Sequence, residues 1–227
     1  MSGGPDALVV LAKEPRPGVS KTRLAADVGE EAAAALARAL VEDTFDLARA
    51  AAADARRIAY APRDAGGWFE RAAPWATLAP QVEGSLGDRV RAASRDAFEG
   101  GAERVVLIGT DAPHVPVERI GEGFDALRRA DVCIGPATDG GYYLLGITAD
   151  RPELFAGVPW STDEVRAVTG SRASSAGLRV LELDTETDID DLAAVRVVAE
   201  TTLARRPDLA ARTSEVLRSA VWRGLLP

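Results

Sequence analysis

Lysine is confined to one short segment of this chain, and such a segment is a candidate site for binding a phosphate. The sequence has two lysines, Lys13 and Lys21, against 25 arginines. Both lie in LAKEPRPGVSKTRLA, where Arg16 and Arg23 add two guanidinium groups. An ammonium is a compact point charge and a guanidinium is a planar fork, so the two differ most where they meet a phosphate or a reacting oxygen. We therefore expect a functional phosphate-binding loop, with chance clustering of two lysines as the alternative.

Carboxylates follow two other strand-like segments. Asp111 comes just after the apolar run RVVLI, while LDTETDIDD (residues 183–191) follows a later apolar run and contains Asp188 and Asp190. Ligands of open α/β sheets bind beyond the carboxyl ends of the strands, so these acids and the lysine loop can converge there. In extended backbone, Asp188 and Asp190 would share one face. Two or three carboxylates beside phosphates suit Mg²⁺. The alternative is structural, with Asp111 in a turn or cap and Asp190 or Asp191 capping the next helix.

The segment PATDGGYYLLG (residues 136–146) adds another acid and two aromatic side chains. The DGG tripeptide that begins at Asp139 is typical of a tight turn, and a hairpin is its simpler interpretation. Tyr142 and Tyr143 should point to opposite faces if they begin a strand, so that one can line a cleft while the other packs. Asp139 is also a candidate base or acceptor-positioning group.

Small residues in other loops are further candidates, because glycine lets a ligand approach the backbone closely. EGSLGDRV (residues 83–90) is a candidate for contact with a nucleotide base. In VPWSTDEV (residues 158–165), Ser161 or Thr162 is predicted to cap a helix, and Trp160 either stacks on a base or, as we favour, packs in the core. We predict that Lys13, Arg16 and Tyr142 bind the nucleotide or substrate. The small residues with the same predicted role are Gly18, Gly84, Gly87, Gly140, Gly141 and Ser161.

Strand-like and helix-like segments alternate along the chain and would position these groups. Apolar runs predict strands over residues 7–12, 57–61, 104–108, 132–134, 142–147 and 178–183. Helical patterns are predicted over residues 29–53, 86–98, 117–129, 162–175, 190–199 and 207–220. Proline and glycine break up residues 62–85. This alternation indicates an α/β layered domain with a largely parallel sheet.

Length and composition exclude several classes of function. The 227 residues suit a single domain over residues 1–227, and a net charge of −8 argues against a general nucleic-acid binder. The chain has one cysteine, Cys133, and no apolar run of the ~20 residues that a membrane span needs. We therefore expect a cytoplasmic protein without a membrane partner. Residues 221–227 are a candidate contact with a second subunit in a homodimer.

Six segments, taken in order, resemble a bacterial family of glycosyltransferase-A-like proteins, the domain of unknown function 2064. They are AKEPRPGVSKTRLA, EGSLGDRV, VVLIGTDAPHVP, DVCIGPATDGGYYLLGI, VPWSTDEV and TDIDDLAAV. The resemblance spans roughly residues 8–198. It implies a nucleotide-diphospho-sugar transferase fold, a Rossmann-like three-layer α/β sandwich. It also implies kinship with 2-phospho-L-lactate guanylyltransferases and with the nucleotidyltransferases of molybdenum-cofactor biosynthesis.

The resemblance implies roles for particular residues. Lys21 and Arg23 match the phosphate-gripping positions of the family. Asp111 matches its first metal-binding aspartate, and Asp188 and Asp190 match the downstream acidic pair. The DGGYYLLG segment departs from the phospholactate guanylyltransferases, so their acceptor is not carried over to this chain.

These observations favour an Mg²⁺- or Mn²⁺-dependent transferase that uses a nucleotide and a small-molecule acceptor. Nucleotidyl transfer from a nucleoside triphosphate to a small phosphorylated or acidic acceptor is preferred, because the four cations of residues 13–23 suit a triphosphate. Glycosyl transfer from a nucleotide sugar is the first alternative. A non-catalytic nucleotide-binding module is the second.

Overall fold

The computed structural model describes residues 4–226, which include a mixed β-sheet of seven strands. The strands are β1 Asp6–Lys13, β2 Ala55–Ala61, β3 Thr77–Pro80, β4 Arg104–Ile108, β5 Val132–Pro136, β6 Tyr142–Ile147 and β7 Val180–Glu182. Their order across the sheet is β3-β2-β1-β4-β6-β5-β7. Strand β6 runs antiparallel to β4 and β5, and the other pairs are parallel, which confirms the mostly parallel sheet.

Helices connect the strands. They are α1 Thr22–Val28, α2 Glu30–Ala50, α3 Gly66–Ala72, α4 Leu86–Glu99, α5 Val117–Ala126, α6 Val165–Ser175, α7 Leu192–Val198, α8 Ala211–Leu217 and α9 Ala220–Arg223. Within residues 4–226, no helix is both long and apolar enough to cross a membrane. The described residues exclude 1–3 and Pro227. These residues are the two ends of the expected 1–227 domain, and Pro227 is also the last residue of the suggested subunit contact.

The sheet is covered on both faces, which gives the predicted three-layer sandwich. Along β1, Leu8 and Val10 are buried in the core that contains side chains of α2, α3 and α5. Ala7 and Val9 alternate with them and join the opposite core, which contains side chains of α4 and α6. Because side chains alternate across a strand, a continuous apolar run such as DALVVLAK is what a strand covered on both faces requires.

A third core anchors two segments that carry candidate residues. Leu24 of α1 and Ile189 of the 183–191 loop are both fully buried there, against Leu36 and Leu40 of α2 and Val195 of α7. Burying a side chain of this size is worth about 1.5–3 kcal/mol. The N-terminal lysine loop and the C-terminal acidic loop are therefore held by the same cluster of apolar side chains.

Several parts of the prediction differ from the structure for identifiable reasons. Helix α3 and strand β3 both lie inside the segment that proline and glycine were expected to break up, and an edge strand tolerates a proline such as Pro80 at its end. Helix α1 was not predicted, since it has only seven residues and follows a proline-glycine loop. The predicted helix over residues 207–220 is interrupted, with a 3₁₀ turn at Pro207–Ala210 followed by α8 and α9.

Candidate functional site

Four polar segments lie at the carboxyl edge of the sheet. One follows β1, one follows β4, one joins β5 to β6, and one follows β7. Strands β1, β4, β5 and β7 all point the same way, and β6 returns from the same edge. The topology therefore brings together the lysine loop, the segment with Asp111, the DGG turn and the acidic loop of residues 183–191.

Lys21 is the side chain that joins these segments. Its Nζ donates hydrogen bonds to Asp111 Oδ1 at 2.7 Å and to Asp190 Oδ1 at 2.6 Å. The Lys21 side chain is only 9% exposed, whereas those of Asp111 and Asp190 are 39% and 43% exposed. Burial alone would lower the pKa of Lys21, but the two carboxylates outweigh it and leave that pKa raised. The ammonium therefore remains charged at neutral pH.

Asp188 is the under-neutralised member of the cluster. Its Oδ1 is buried and has no hydrogen-bond partner in the structure. Burial, and then the charges of Asp111, Asp139 and Asp190, raise the pKa of Asp188 to about 8, with Lys21 acting in the opposite direction. Three carboxylates and one ammonium thus act on the Asp188 carboxyl group. A pKa shifted in this way by burial and by specific neighbouring charges is typical of functional sites.

The carboxylates do not form a preassembled metal cage. Among residues 4–226, no three His, Cys, Asp or Glu side chains are arranged to hold a metal ion. In this arrangement the Lys21 ammonium is the cation that bridges Asp111 and Asp190. The donor chemistry nevertheless fits Mg²⁺ or Mn²⁺, which take oxygen ligands, and Asp188 Oδ1 is an acceptor without a partner.

The acidic loop is fixed by its backbone. Thr138 N donates to Glu186 O at 2.9 Å, which ties the loop to the DGG turn, and Ile189 N donates to Asp111 O at 2.8 Å. Asp190 N bonds Asp188 O at 3.1 Å, so this stretch is turned and the expected extended geometry is wrong. Asp191 accepts from Ala194 N and caps α7, which confirms the structural role left open for it.

The remaining cations of the lysine loop divide into two kinds. Arg16 is engaged by Glu14 and Asp64. Lys13, at the end of β1, and Arg23, in α1, are exposed and make no ion pair with any residue from 4 to 226. These two remain available to an incoming anion, whereas Arg16 would first have to leave its partners.

The DGG turn is a hairpin, as the sequence indicates. Asp139 is exposed, and its Oδ1 accepts a hydrogen bond from Gly141 N at 2.8 Å. Gly140 has a φ of 89°, and a Cβ there would lie 2.1 Å from the carbonyl oxygen of Asp163. Beyond the turn, Tyr142 and Tyr143 pack in opposite cores, as predicted from strand alternation. Burial raises the pKa of both tyrosines, so neither is a ready proton donor at neutral pH.

The other predicted glycines lie in loops or against packed groups. Gly18 and Gly84 have φ values of 73° and 123°. Gly87 is buried, and a Cβ there would lie 2.3 Å from Trp160 Nε1, which gives this glycine a packing reason. Trp160 stacks on Phe155 and meets Tyr142 edge-on, in agreement with the preferred core position.

Ser161 is exposed and has a φ of 67°, and it does not cap a helix. Helix α6 begins at Val165, its N-cap is Glu164, and no side chain caps it, so the predicted cap at Ser161 or Thr162 is wrong. The Thr162 hydroxyl instead donates to Pro159 O at 2.7 Å. A left-handed serine costs energy, because only glycine adopts such backbone freely.

Two comparisons with known proteins decide the family. The family model described as "Uncharacterized protein conserved in bacteria (DUF2064)" matches residues 44–162. A crystal structure of a "putative nucleotide-diphospho-sugar transferase" from Desulfovibrio desulfuricans G20 is 32% identical, with a TM-score of 0.86, over 98% of each chain. This chain belongs to the DUF2064 family. No curated protein matches it significantly.

More distant structures share the fold of this DUF2064 protein. The structure of CMP:2-keto-3-deoxy-manno-octonic acid synthetase complexed with CTP is 13% identical, with a TM-score of 0.57. It covers 88% of this chain and 99% of that one. Rv0371c from Mycobacterium tuberculosis H37Rv, crystallised with manganese, is 18% identical, with a TM-score of 0.51. It covers 87% of this chain and 99% of that one. At these identities the likeness establishes the nucleotide-diphospho-sugar transferase fold.

One charged residue beside the site has no signal in the sequence. Arg119 of α5 contacts the acidic loop through Asp184 and Glu186. No short-range spacing links position 119 to those acids, because the contact depends on how β7 aligns beside β5. A sequence pattern that records only local periodicity does not carry that information.

Proposed function

We propose that this protein is a divalent-metal-dependent transferase that moves a nucleotidyl group from a nucleoside triphosphate to a small phosphorylated or acidic acceptor. The observation that carries the proposal is the charge arrangement at the carboxyl edge of the sheet. Lys21 bridges Asp111 and Asp190 beside Asp188, whose Oδ1 has no partner, while Lys13 and Arg23 make no ion pair within residues 4–226. A bound metal ion would neutralise the carboxylates, and a bound triphosphate would neutralise the cations.

The residues divide the task by position. Asp111, Asp188 and Asp190 would hold the metal, which when bound supplies a Lewis acid that neutralises charge on the phosphates. Exposed Lys13 and Arg23 would contact the outer phosphates. Lys21, already inside the cluster, would contact the transferring phosphate as negative charge develops there. The backbone hydrogen bonds of the acidic loop would hold the carboxylates in position before the substrate binds.

The relatives support a nucleotide as the substrate. The 32% identical protein is described as a "putative nucleotide-diphospho-sugar transferase", one fold relative was crystallised with CTP, and another with manganese. The first two descriptions name a nucleotide or a nucleotide sugar, and none of the three decides which group is transferred.

Glycosyl transfer is the second candidate, and Asp139 is the residue that favours it. This exposed carboxylate lies close enough to Asp188 to raise its pKa, so it is positioned near the cluster. One of its oxygens is committed to Gly141 N inside the turn. That commitment suits a positioning group better than a base, and we therefore rank nucleotidyl transfer first.

The deciding assay supplies Mg²⁺ or Mn²⁺, a panel of phosphorylated and acidic acceptors, and one of two labelled donors. With an α-³²P-labelled triphosphate, we expect label in the acceptor and release of pyrophosphate. With a nucleotide sugar labelled in the sugar, we expect none. Sugar label in the acceptor, together with free nucleoside diphosphate, would overturn nucleotidyl transfer in favour of the second candidate.

The metal requirement needs a separate comparison. Asp111→Asn and Asp188→Asn should each abolish Mg²⁺-dependent nucleotide binding in calorimetry and leave the fold intact. Asp191→Asn is the matched control, because Asp191 lies in the same loop but caps α7. Unchanged metal dependence in the first two variants would exclude them as ligands.

A further inference from the structure

The acidic loop is clamped to helix α5 by an arginine. Arg119 lies in the first turn of α5, and its Nη2 is 2.9 Å from Asp184 Oδ2 and 3.7 Å from Glu186 Oε1. Its Nη1 donates to Glu122 Oε2 at 2.6 Å. The Arg119 side chain is 16% exposed, whereas that of its nearest partner in the loop, Asp184, is 81% exposed. One planar fork therefore contacts carboxylates from two separate parts of the chain.

Helix α5, which carries Arg119, follows directly after the segment that contains Asp111, the first candidate metal ligand. Asp111 follows β4, and the same connection runs directly into α5 at Val117. The clamped residues, Asp184 and Glu186, precede Asp188 in the loop after β7. Arg119 therefore links the two segments that bring Asp111 and Asp188 to the same edge.

Two other contacts hold the loop beside the clamp. The Tyr143 hydroxyl donates to Asp184 O at 3.2 Å, and Ile189 N donates to Asp111 O at 2.8 Å. The first is on the clamped side of Asp188 and the second is immediately after it. Asp188 is thus anchored on both sides, and Arg119 adds ion pairs to the backbone hydrogen bonds that already hold Glu186 on the first side.

We propose that Arg119 is a positioning residue that fixes the place of Asp188 and Asp190 relative to Asp111. For its effect on ligand binding, the proposal rests on the proposed function. An isolated exposed ion pair would contribute little, but the Arg119 side chain is only 16% exposed and contacts three carboxylates at once. A lysine could not replace it fully, because an ammonium lacks the fork that spans separate oxygens.

Arg212 offers a matched control. It contacts Glu42, Asp43 and Asp46 and joins α8 to α2, as Arg119 joins α5 to the acidic loop. None of its partners belongs to the candidate site. Removing Arg212 therefore tests the general cost of losing a multiply bonded arginine.

The experiment compares wild type, Arg119→Ala, Arg119→Lys and Arg212→Ala with three measurements. Hydrogen exchange reports on the amides of residues 184–190, and in particular on Ile189 N. Mn²⁺ binding with ATP, CTP, GTP and UTP in turn is followed by electron paramagnetic resonance, and nucleotide binding in EDTA by calorimetry. Thermal unfolding records stability for each variant.

In Arg119→Ala, we expect exchange in residues 184–190 to accelerate at least tenfold and the metal-dependent gain in nucleotide affinity to fall at least tenfold. Affinity in EDTA should stay within about twofold, because Lys13 and Arg23 are untouched. Arg119→Lys should be intermediate. Arg212→Ala should lower the unfolding temperature and leave both the exchange of residues 184–190 and metal-dependent binding unchanged.

The positioning role is overturned if exchange at residues 184–190 is unchanged in Arg119→Ala. It is also overturned if Arg119→Ala and Arg212→Ala change exchange and metal-dependent binding to the same extent. Failure of the proposed function has a different signature. In that case wild type itself shows no metal-dependent nucleotide binding, while the accelerated exchange in Arg119→Ala still reports the clamp.

Discussion

Two aspartates of this protein, one buried and one half-buried, have opposite surroundings. Asp43 of α2 is buried and accepts hydrogen bonds from Thr213 N at 2.8 Å, from Arg212 N at 3.2 Å and from the Arg212 guanidinium at 3.2 Å. Asp188 is half-buried, its buried Oδ1 has no partner, and three nearby carboxylates disfavour its charge.

The difference separates a structural acid from one that we propose to be functional. Asp43 satisfies the first amides of α8 and neutralises an arginine, so it stabilises the packing of α8 on α2. Asp188 raises the free energy of the folded state at neutral pH, because burial and the neighbouring carboxylates disfavour its ionised form. Folded proteins keep such a cost where an external partner removes it, which suggests that the loop around Asp188 is shaped for a ligand.

The largest effect should come from the satisfied aspartate. Asp43→Ala would leave two amides and a guanidinium without their acceptor, and we expect a loss of about 3 kcal/mol in the free energy of unfolding. Asp188→Ala in metal-free protein should cost much less. Urea unfolding of both variants checks this, and equal losses would remove the distinction between the two sites.

His114 extends the comparison to acid pH. It is the single histidine of the chain, is buried, and has a partnerless Nδ1. Burial lowers its pKa to about 4. Its neutral form is thus favoured in the folded state. The free energy of unfolding is therefore highest above the unfolded-state pKa of His114, near 6.5. About 2–3 kcal/mol of it is lost as the pH falls towards 4.

The test for His114 is urea unfolding of wild type and His114→Gln at several pH values between 7.5 and 4.5. The difference in unfolding free energy between the two proteins should change with pH in this window, because only wild type carries the titrating imidazole. A difference that stays constant across the window would contradict the neutral buried form.

Lys21 should show opposite effects on two ligands. Lys21→Met removes the cation between Asp111 and Asp190, so Mn²⁺ should bind more tightly in the absence of nucleotide. Triphosphate affinity should fall by about 2 kcal/mol, within the range for hydrogen bonds to charged groups. Electron paramagnetic resonance and calorimetry measure the two affinities. Weaker binding of both ligands would show that Lys21 serves mainly to hold the segments together.

The smallest effect distinguishes the two arginines of the lysine loop. Arg23→Ala should weaken triphosphate binding by about 1 kcal/mol, because Arg23 is unpaired and exposed. Arg16→Ala should have less effect, since Arg16 is already engaged by Glu14 and Asp64. Parallel calorimetric titrations are sufficient, and a larger loss in Arg16→Ala would reverse the assignment.

The sequence predicted those parts of the molecule that depend on local pattern. The runs at β1, β4 and β6 are long, apolar and bounded by glycine, proline or polar residues, so their existence followed from composition. The rule that ligands lie beyond strand ends then placed Lys21 with the aspartates correctly. What could not be predicted was the partner of each charge.

Charge pairing depends on distances of a few ångströms between segments far apart in the chain. The sequence assigned Lys21 to phosphate, and the structure shows its ammonium bonded to Asp111 and Asp190. Arg16 and Arg23 look equivalent in sequence, but only Arg16 is paired in the described residues, with Glu14 and with the distant Asp64. Helix α6 begins at Val165, and Asp163 just before it lies against Gly140, a contact that no local periodicity records.

The two hydrogen bonds of Lys21 also determine when the site can exist during synthesis. They link residues separated by 90 and 169 positions, so the second cannot form until Asp190 has been synthesised. Strands β1 to β4 can pair earlier, because all of them precede Asp111. A nascent or truncated chain that ends before residue 183 would therefore lack Asp188 and Asp190, and Lys21 would keep only one of its two carboxylate partners.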